Sequence, residues 1–240
     1  MISQLWLFLV SVATQYILIS GSRLRHSSYT CGQHAGFLNL PQNITKIAIN
    51  VGSNVDPILP DETDESMAVI AIEPILTTAL NIPKHPRLYV VTAALSDKVG
   101  FGVMNVFNGN GMSSSLNRPV DSTRDWVWKP DGYNVVDIVP VLTLQMLLAA
   151  VPEHIEILLL KTDMQGNDFS ALKSAKSNLR RVKKVQSECW CGGFAHYAGV
   201  MNDYHKDFEP YMKGLGFSVT EDPCPPGSFR EVDAVWIRSE

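Results

Sequence analysis

The chain has 240 residues, 45% of them hydrophobic and 18% charged, a composition that excludes a disordered or collagen-like protein and fills one large domain without forcing a second. Its formal charge of -4 argues against a protein that grips nucleic-acid backbone, because neutralising phosphates needs clustered lysine and arginine. Small or neutral substrates suit it better.

In chain order, the first predicted element is an apolar run from Leu5 to Ile19, broken only by Ser11, Thr14 and Gln15. It is shorter than the roughly 20 apolar residues that cross a bilayer, and it suits the core of a signal peptide at least as well as an anchor. Ser20 and Ser22 offer small residues for cleavage. Against both, no basic residue precedes the run and Arg23 and Arg25 follow it, a poor n-region; the alternative is an N-terminal helix packed on the domain. The chain therefore divides into an apolar segment 1–22, through which 5–19 would associate with a membrane, an extension 23–45, and a folded domain 46–240. The sequon Asn43-Ile44-Thr45 and four cysteines, Cys31, Cys189, Cys191 and Cys224, are compatible with the oxidising secretory pathway. A cytoplasmic protein with packed thiols is the alternative.

Runs rich in β-branched residues predict strands at Lys46–Val51, Ala68–Ile72, Leu88–Thr92, Val135–Val141, Ile155–Leu160, Val182–Gln186 and Val232–Ile237. Several are apolar on both faces, as a parallel sheet covered by helices requires. Helical spacing of apolar residues predicts helices over Thr143–Ala150, Asn167–Leu179 and Asp203–Leu215. This alternation predicts an α/β fold built on a doubly wound sheet. Pro57 and Pro60 leave little room for a helix in the first crossover. The long irregular stretches Gly109–Tyr133 and Glu221–Phe229 are candidate lids or substrate loops.

The first strand ends in Asn50-Val51-Gly52-Ser53-Asn54 and the second in Ala71-Ile72-Glu73-Pro74. A glycine at the first turn lets backbone approach a ligand, and an acid roughly 20 residues further on accepts ribose hydroxyl protons. Glu73 has that spacing from Gly52. By themselves these residues also fit a structural turn followed by an ordinary surface glutamate.

Further segments add to this pair: Ala94-Leu95-Ser96-Asp97, Ser113-Ser114-Ser115-Leu116, Val141-Leu142-Thr143-Leu144, and Lys161-Thr162-Asp163-Met164-Gln165-Gly166 before a predicted helix. Taken in order over roughly residues 46 to 190, they resemble the FkbM family of methyltransferases. The resemblance implies a Rossmann-like class I methyltransferase fold, with a mostly parallel seven-stranded sheet and helices on both faces, and S-adenosylmethionine as donor. It also implies O-methylation of a hydroxyl on a small molecule, lipid or glycan. Asn50, Gly52, Ser53 and Asn54 would form the donor turn, Glu73 would bind the ribose, and Ser96 and Asp97 would sit by the adenine. Asp163 would face the transferred methyl as first candidate base, with Glu188 second; the alternative for Asp163 is a carboxylate capping the helix that begins near Asn167.

The chain departs from the family pattern where Asn50, Gln145 and Gln165 replace carboxylates and Asp56 replaces a glycine. Amides keep hydrogen bonding but cannot act as bases, so the rival reading is a catalytically silent donor-binding or interaction protein. A nicotinamide-dependent oxidoreductase is disfavoured by the missing G-x-G-x-x-G. Cys189-Trp190-Cys191 with His196 and Cys224 lacks zinc-finger spacing, so packed thiols or one disulfide involving Cys224 are favoured over metal. The basic run from Lys173 to Lys184 reads as a solvated face before an anion site. The aromatics of 125–133 either line the acceptor pocket or pack back on the domain.

Overall fold

The computed structural model describes residues 38, 40–107, 111–120 and 135–239. The predicted apolar segment 1–22, Cys31 and the aromatic stretch 125–133 lie outside them. The strands are β1 (Lys46–Val51), β2 (Met67–Ile72), β3 (Leu88–Val91), β4 (Ala94–Ser96), β5 (Gly100–Val106), β6 (Val135–Thr143), β7 (Glu156–Thr162), β8 (Val182–Trp190), β9 (Phe217–Val219) and β10 (Glu231–Arg238). The α-helices are short: α1 (Leu76–Ala79), α2 (Leu144–Ala150), α3 (Asp168–Ser174) and α4 (Glu209–Gly214). No helix among the described residues is long and apolar enough to cross a membrane.

Seven strands form one sheet in the order β3-β2-β1-β7-β8-β10-β9. The five strands from β3 to β8 run parallel, and β10 runs antiparallel to both β8 and β9. The protein is thus an α/β fold on a mostly parallel sheet. On one face, Ile47, Ile49 and Val51 of β1 pack with Leu144 and Leu148 of α2, Phe169 and Leu172 of α3, and Met212 of α4. On the other, Ala48, Val69 and Ala71 pack with Ala79 of α1, Ile82 and Ile58. A one-residue slip in the β1–β7 pairing lets Ile157 and Leu160 share the first face while Leu159 joins the second. Ile44 is buried, and Leu38 and Leu40 pack on the same core, so packing starts ahead of β1.

The predicted strand 135–141 forms but does not enter the large sheet. It is β6 of a separate sheet ordered β4-β6-β5. Its pattern explains why: Val139 and Val141 are buried while Val136 and Ile138 are exposed, so only one face is covered, unlike the central parallel strands. The seventh place belongs to β9, whose three residues are too few to carry a periodic signal. Predicted helix 167–179 breaks after Ser174, where Lys176 takes φ 52 and a 3-10 turn follows over Lys176–Arg181. Predicted helix 203–215 opens as a wide π turn, Tyr204–Phe208, in which the Phe208 N–H reaches back to the Asp203 carbonyl. Pro210 at the start of α4 has no N–H to continue an ordinary ladder upstream. The crossover from β1 to β2 contains no helix.

Cys191, just past β8, is disulfide-bonded to Cys224 in the 221–229 loop, while Cys189 is a buried free thiol. The bond fastens that loop to the strand end, where Gly192 also passes the Ser228 carbonyl so closely that a Cβ would lie 2.0 Å from its oxygen.

Candidate functional site

The sheet register builds the site. Val51 pairs with Ile72 on one side and with Thr162 on the other, and Thr162 pairs with Ser187. One residue further along each strand therefore sets Glu73, Gly52, Asp163 and Glu188 in one row across β2, β1, β7 and β8. All four stand at the carboxyl ends of parallel strands, where open α/β sheets bind ligands. A cleft opens there, lined by Gly52, Asn54, Glu73, Asp163, Gln165 and Asn167 on its polar side. Ile75, Met104, Leu116 and Met164 are among its apolar walls.

Gly52 adopts φ 70, and a Cβ on it would lie 1.8 Å from the Asp163 carbonyl oxygen. Only glycine admits this crossing of the β1 turn over the end of β7. Asn54 is also left-handed, at φ 47, a conformation asparagine tolerates better than most residues. Buried Glu73 accepts the Asn54 N–H at 2.9 Å on one carboxylate oxygen and the Ile75 N–H at 2.9 Å on the other. Each oxygen keeps a lone pair, and the side chain lines the cleft. Burial raises its pKa against the pull of those two N–H groups.

Asp163 lines the cleft, and its Oδ1 accepts from Gln165 Nε2 at 3.2 Å. Burial pushes its carboxyl above the usual range, opposed by the Gln165 bond and by Lys161. Asp163 does not cap α3: the N-cap position is Asn167, whose side chain makes no capping hydrogen bond, while Asp168 accepts the Met164 N–H at 3.1 Å.

The other predicted site residues fall elsewhere. Glu188 is buried and off the cleft wall. Strand β8 runs on to Trp190, and Gln165 Nε2 sits 3.1 and 3.3 Å from the Glu188 oxygens. Ser53 is buried beside the turn, and Asn50 spends its Oδ1 on the Ile58 N–H at 2.9 Å, inside the β1–β2 crossover. Ser96 and Asp97 line a separate shallow groove with Phe101 and Val103, because β4 turns away into the small sheet. It is Ala93, Ala94 and Leu95 that face the cleft. Gln145 lies on α2, away from the cleft lining.

Behind the wall, Tyr197, which has no signal in the sequence, joins the Ser113–Leu116 segment around Gln165. The Tyr197 hydroxyl lies 2.9 Å from the Ser113 carbonyl and 3.1 Å from Gln165 Oε1, and Ser115 donates to the Gln165 carbonyl at 2.7 Å. Backbone bonds from Val120 to His196 and from Ala198 to Arg118 tie the two loops together. The partners are far apart in sequence, so no local pattern announces their pairing.

The family model for the methyltransferase FkbM domain matches residues 31–219. The chain belongs to the FkbM methyltransferase family. No curated protein and no solved structure matches it. The matched span of this FkbM domain contains the whole row from Gly52 to Glu188 and ends at the last residue of β9. No group of histidine, cysteine and acidic residues suited to holding a metal occurs among the described residues.

The site of the FkbM domain concentrates acids. Asp168, fully buried in the first turn of α3, is pushed up to about 7, first by burial and then by Asp163. Glu188 is held well above its ordinary range by burial, then by Asp163, Asp168 and Glu231. An acid raised on folding binds its proton more tightly in the native state, so its contribution is fully present below the unfolded value and disappears as pH rises through the folded one. Without ligand, the domain is therefore expected to lose stability as pH rises from about 4 to about 7, by up to ~1.4 kcal/mol per pH unit for each such proton. Asp168→Asn should flatten that slope. Urea unfolding at a series of pH values measures it, and a stability that climbs over this window would contradict the assignment.

Proposed function

We propose that this FkbM methyltransferase uses S-adenosylmethionine, on a Rossmann-like class I scaffold, to methylate a hydroxyl of a small molecule, lipid or glycan. The observation that carries the reading is the row of Glu73, Gly52 and Asp163 along one cleft. The residues fit the donor: a turn with no side chain at Gly52, a carboxylate with free lone pairs at Glu73, and apolar walls beside them.

When bound, the donor supplies a methyl group on a positively charged sulfur. Glu73 would accept hydrogen bonds from the ribose hydroxyls, and the Gly52–Asn54 turn would bring backbone against the donor. Asp163 would accept the proton of the acceptor hydroxyl, holding it as a carboxylic acid, when that hydroxyl's oxygen takes the methyl group and the donor leaves as a neutral thioether. Holding the acceptor oxygen in line with the methyl supplies much of the acceleration, so little further acid–base machinery is needed. Burial of Asp163 helps here, since a carboxylate raised toward neutral pH is a better base. Glu188, covered by Gln165, takes no direct part.

S-adenosylhomocysteine is expected to bind, and Glu73→Ala to weaken it by about 10- to 100-fold, the cost of hydrogen bonds to a charged acceptor; calorimetry decides, and unchanged affinity would remove the ribose assignment. Asp163→Asn should keep donor affinity and lower turnover by ~10²–10⁴ once an acceptor is found. A variant as fast as the parent would make Asp163 a bystander, and donor binding without turnover on sugars, lipids or alcohols would favour the silent reading.

We also place the chain in the secretory pathway. Asn43 and Thr45 of the sequon are exposed on either side of buried Ile44, and the Cys191–Cys224 bond suits an oxidising compartment. Expressed in eukaryotic cells, the chain should carry a glycan that Asn43→Gln removes, read as a mobility shift after glycosidase treatment. An unglycosylated chain with reduced cysteines would count against this.

A further inference from the structure

Gln165 stands in the left-handed region, at φ 54, followed by Gly166 at φ 89. For a residue with a Cβ this backbone costs ~1–2 kcal/mol, and such strain persists where the surroundings hold it. Here the holding contacts are on the side chain and its own carbonyl. Nε2 lies 3.2 Å from Asp163 Oδ1 and 3.1 and 3.3 Å from the two Glu188 oxygens. An amide nitrogen has two hydrogens, so it can give one to each carboxylate. On the opposite side Oε1 lies 3.1 Å from the Tyr197 hydroxyl, and the Gln165 carbonyl accepts from Ser115. Turning the amide over would set its oxygen against the Asp163 and Glu188 oxygens and remove the Oε1 acceptor from the Tyr197 hydroxyl, whose one hydrogen it shares with the Ser113 carbonyl, so one orientation is selected. An ionised glutamate has no hydrogen to give and could not bridge the pair.

We propose that Gln165 is a positioning residue that fixes both the direction and the ionisation of Asp163 in the cleft, and that Tyr197 in turn fixes the orientation of the Gln165 amide. The proposal rests on the reading of Asp163 as the proton acceptor. It gives the amide at this position a role, whereas sequence alone presents it as a carboxylate lost. Donating to Asp163 favours its charged form and offsets part of its burial. The same amide covers Glu188, whose carboxyl stays behind the wall. The charged groups that face this pair are Lys161 of β7, Asp168 of α3, and Glu231 and Asp233 of β10. His196 in turn lies 3.6 Å from Glu231.

The test follows the titration of Asp163 directly, in the whole chain, by carboxyl-carbon NMR with labelled aspartate, using Asp163→Asn to assign the signal. In Gln165→Met, which keeps the length of the side chain but none of its donors, the Asp163 midpoint should rise by about one unit or more, the value of a hydrogen bond to a charged group. Tyr197→Phe, which removes only the hydroxyl, should raise it by less. Gln165→Glu should raise it further and add a titrating acid. S-adenosylhomocysteine calorimetry on the parent chain runs alongside. A parent that fails to bind defeats the donor reading, while the titrations still judge Gln165. An Asp163 midpoint unmoved in the folded variants overturns the proposal; should Gln165→Met not fold, an unmoved midpoint in Tyr197→Phe does so alone.

Discussion

At Gly52 the turn after β1 passes so close to the end of β7 that a Cβ would lie 1.8 Å from the Asp163 carbonyl oxygen. This approach lets the two central strands end level. With β1 held parallel between β2 and β7, and the β1–β7 register unbroken from Ala48 onward, the residues just beyond the strands, Glu73, Gly52 and Asp163, fall into one row. The cleft exists because that row is flat at Gly52 and carboxylate on either side. A side chain at position 52 would fill the cleft floor and push β7 away.

The price of the arrangement is a crowd of acids under the cleft. Asp163, Asp168 and Glu188 are all raised by burial; Asp163 also raises the other two, and Asp168 raises Glu188. Such groups are costly to ionise together and settle by holding protons. The structure answers with donors: the Met164 N–H to Asp168, and Gln165 Nε2 between Asp163 and Glu188. An amide in the midst of the acids is thus electrostatically economical, where a further carboxylate would add a like charge.

The small sheet supports the cleft from outside. The inner face of β5 and β6 contributes Met104, Val139 and Val141 to a satellite core with Ile75, and Met104 and Ile75 also reach the cleft wall. The loop around Ser113 and Ser115 is tied to the floor through Gln165 and Tyr197. On the far side, the Cys191–Cys224 bond keeps the 221–229 loop against the end of β8.

Much of this was legible in the sequence. Continuous apolar runs such as Ile157–Leu160 announce strands buried on both faces, and the Gly52–Glu73 spacing and the segment from Lys161 to Gly166 mark the site. Such signals are local: a strand's burial is written in its own residues, and a glycine forced by a turn is written in the turn. Partnership is not local. Nothing in 135–141 says that it pairs antiparallel with β5 in a second sheet, and the three residues of β9 have no period to detect. Ser96 and Asp97 follow the donor-type order in the chain, yet β4 carries them into another groove, since a short strand goes where its hydrogen-bonding partner lies. Glu188 falls in the expected row, but whether it reaches the cleft depends on Gln165 lying over it. Gln165 itself looks in sequence like a lost acid, and only the tertiary structure, by bringing Asp163, Glu188 and Tyr197 around one amide, turns it into the donor that two buried carboxylates require.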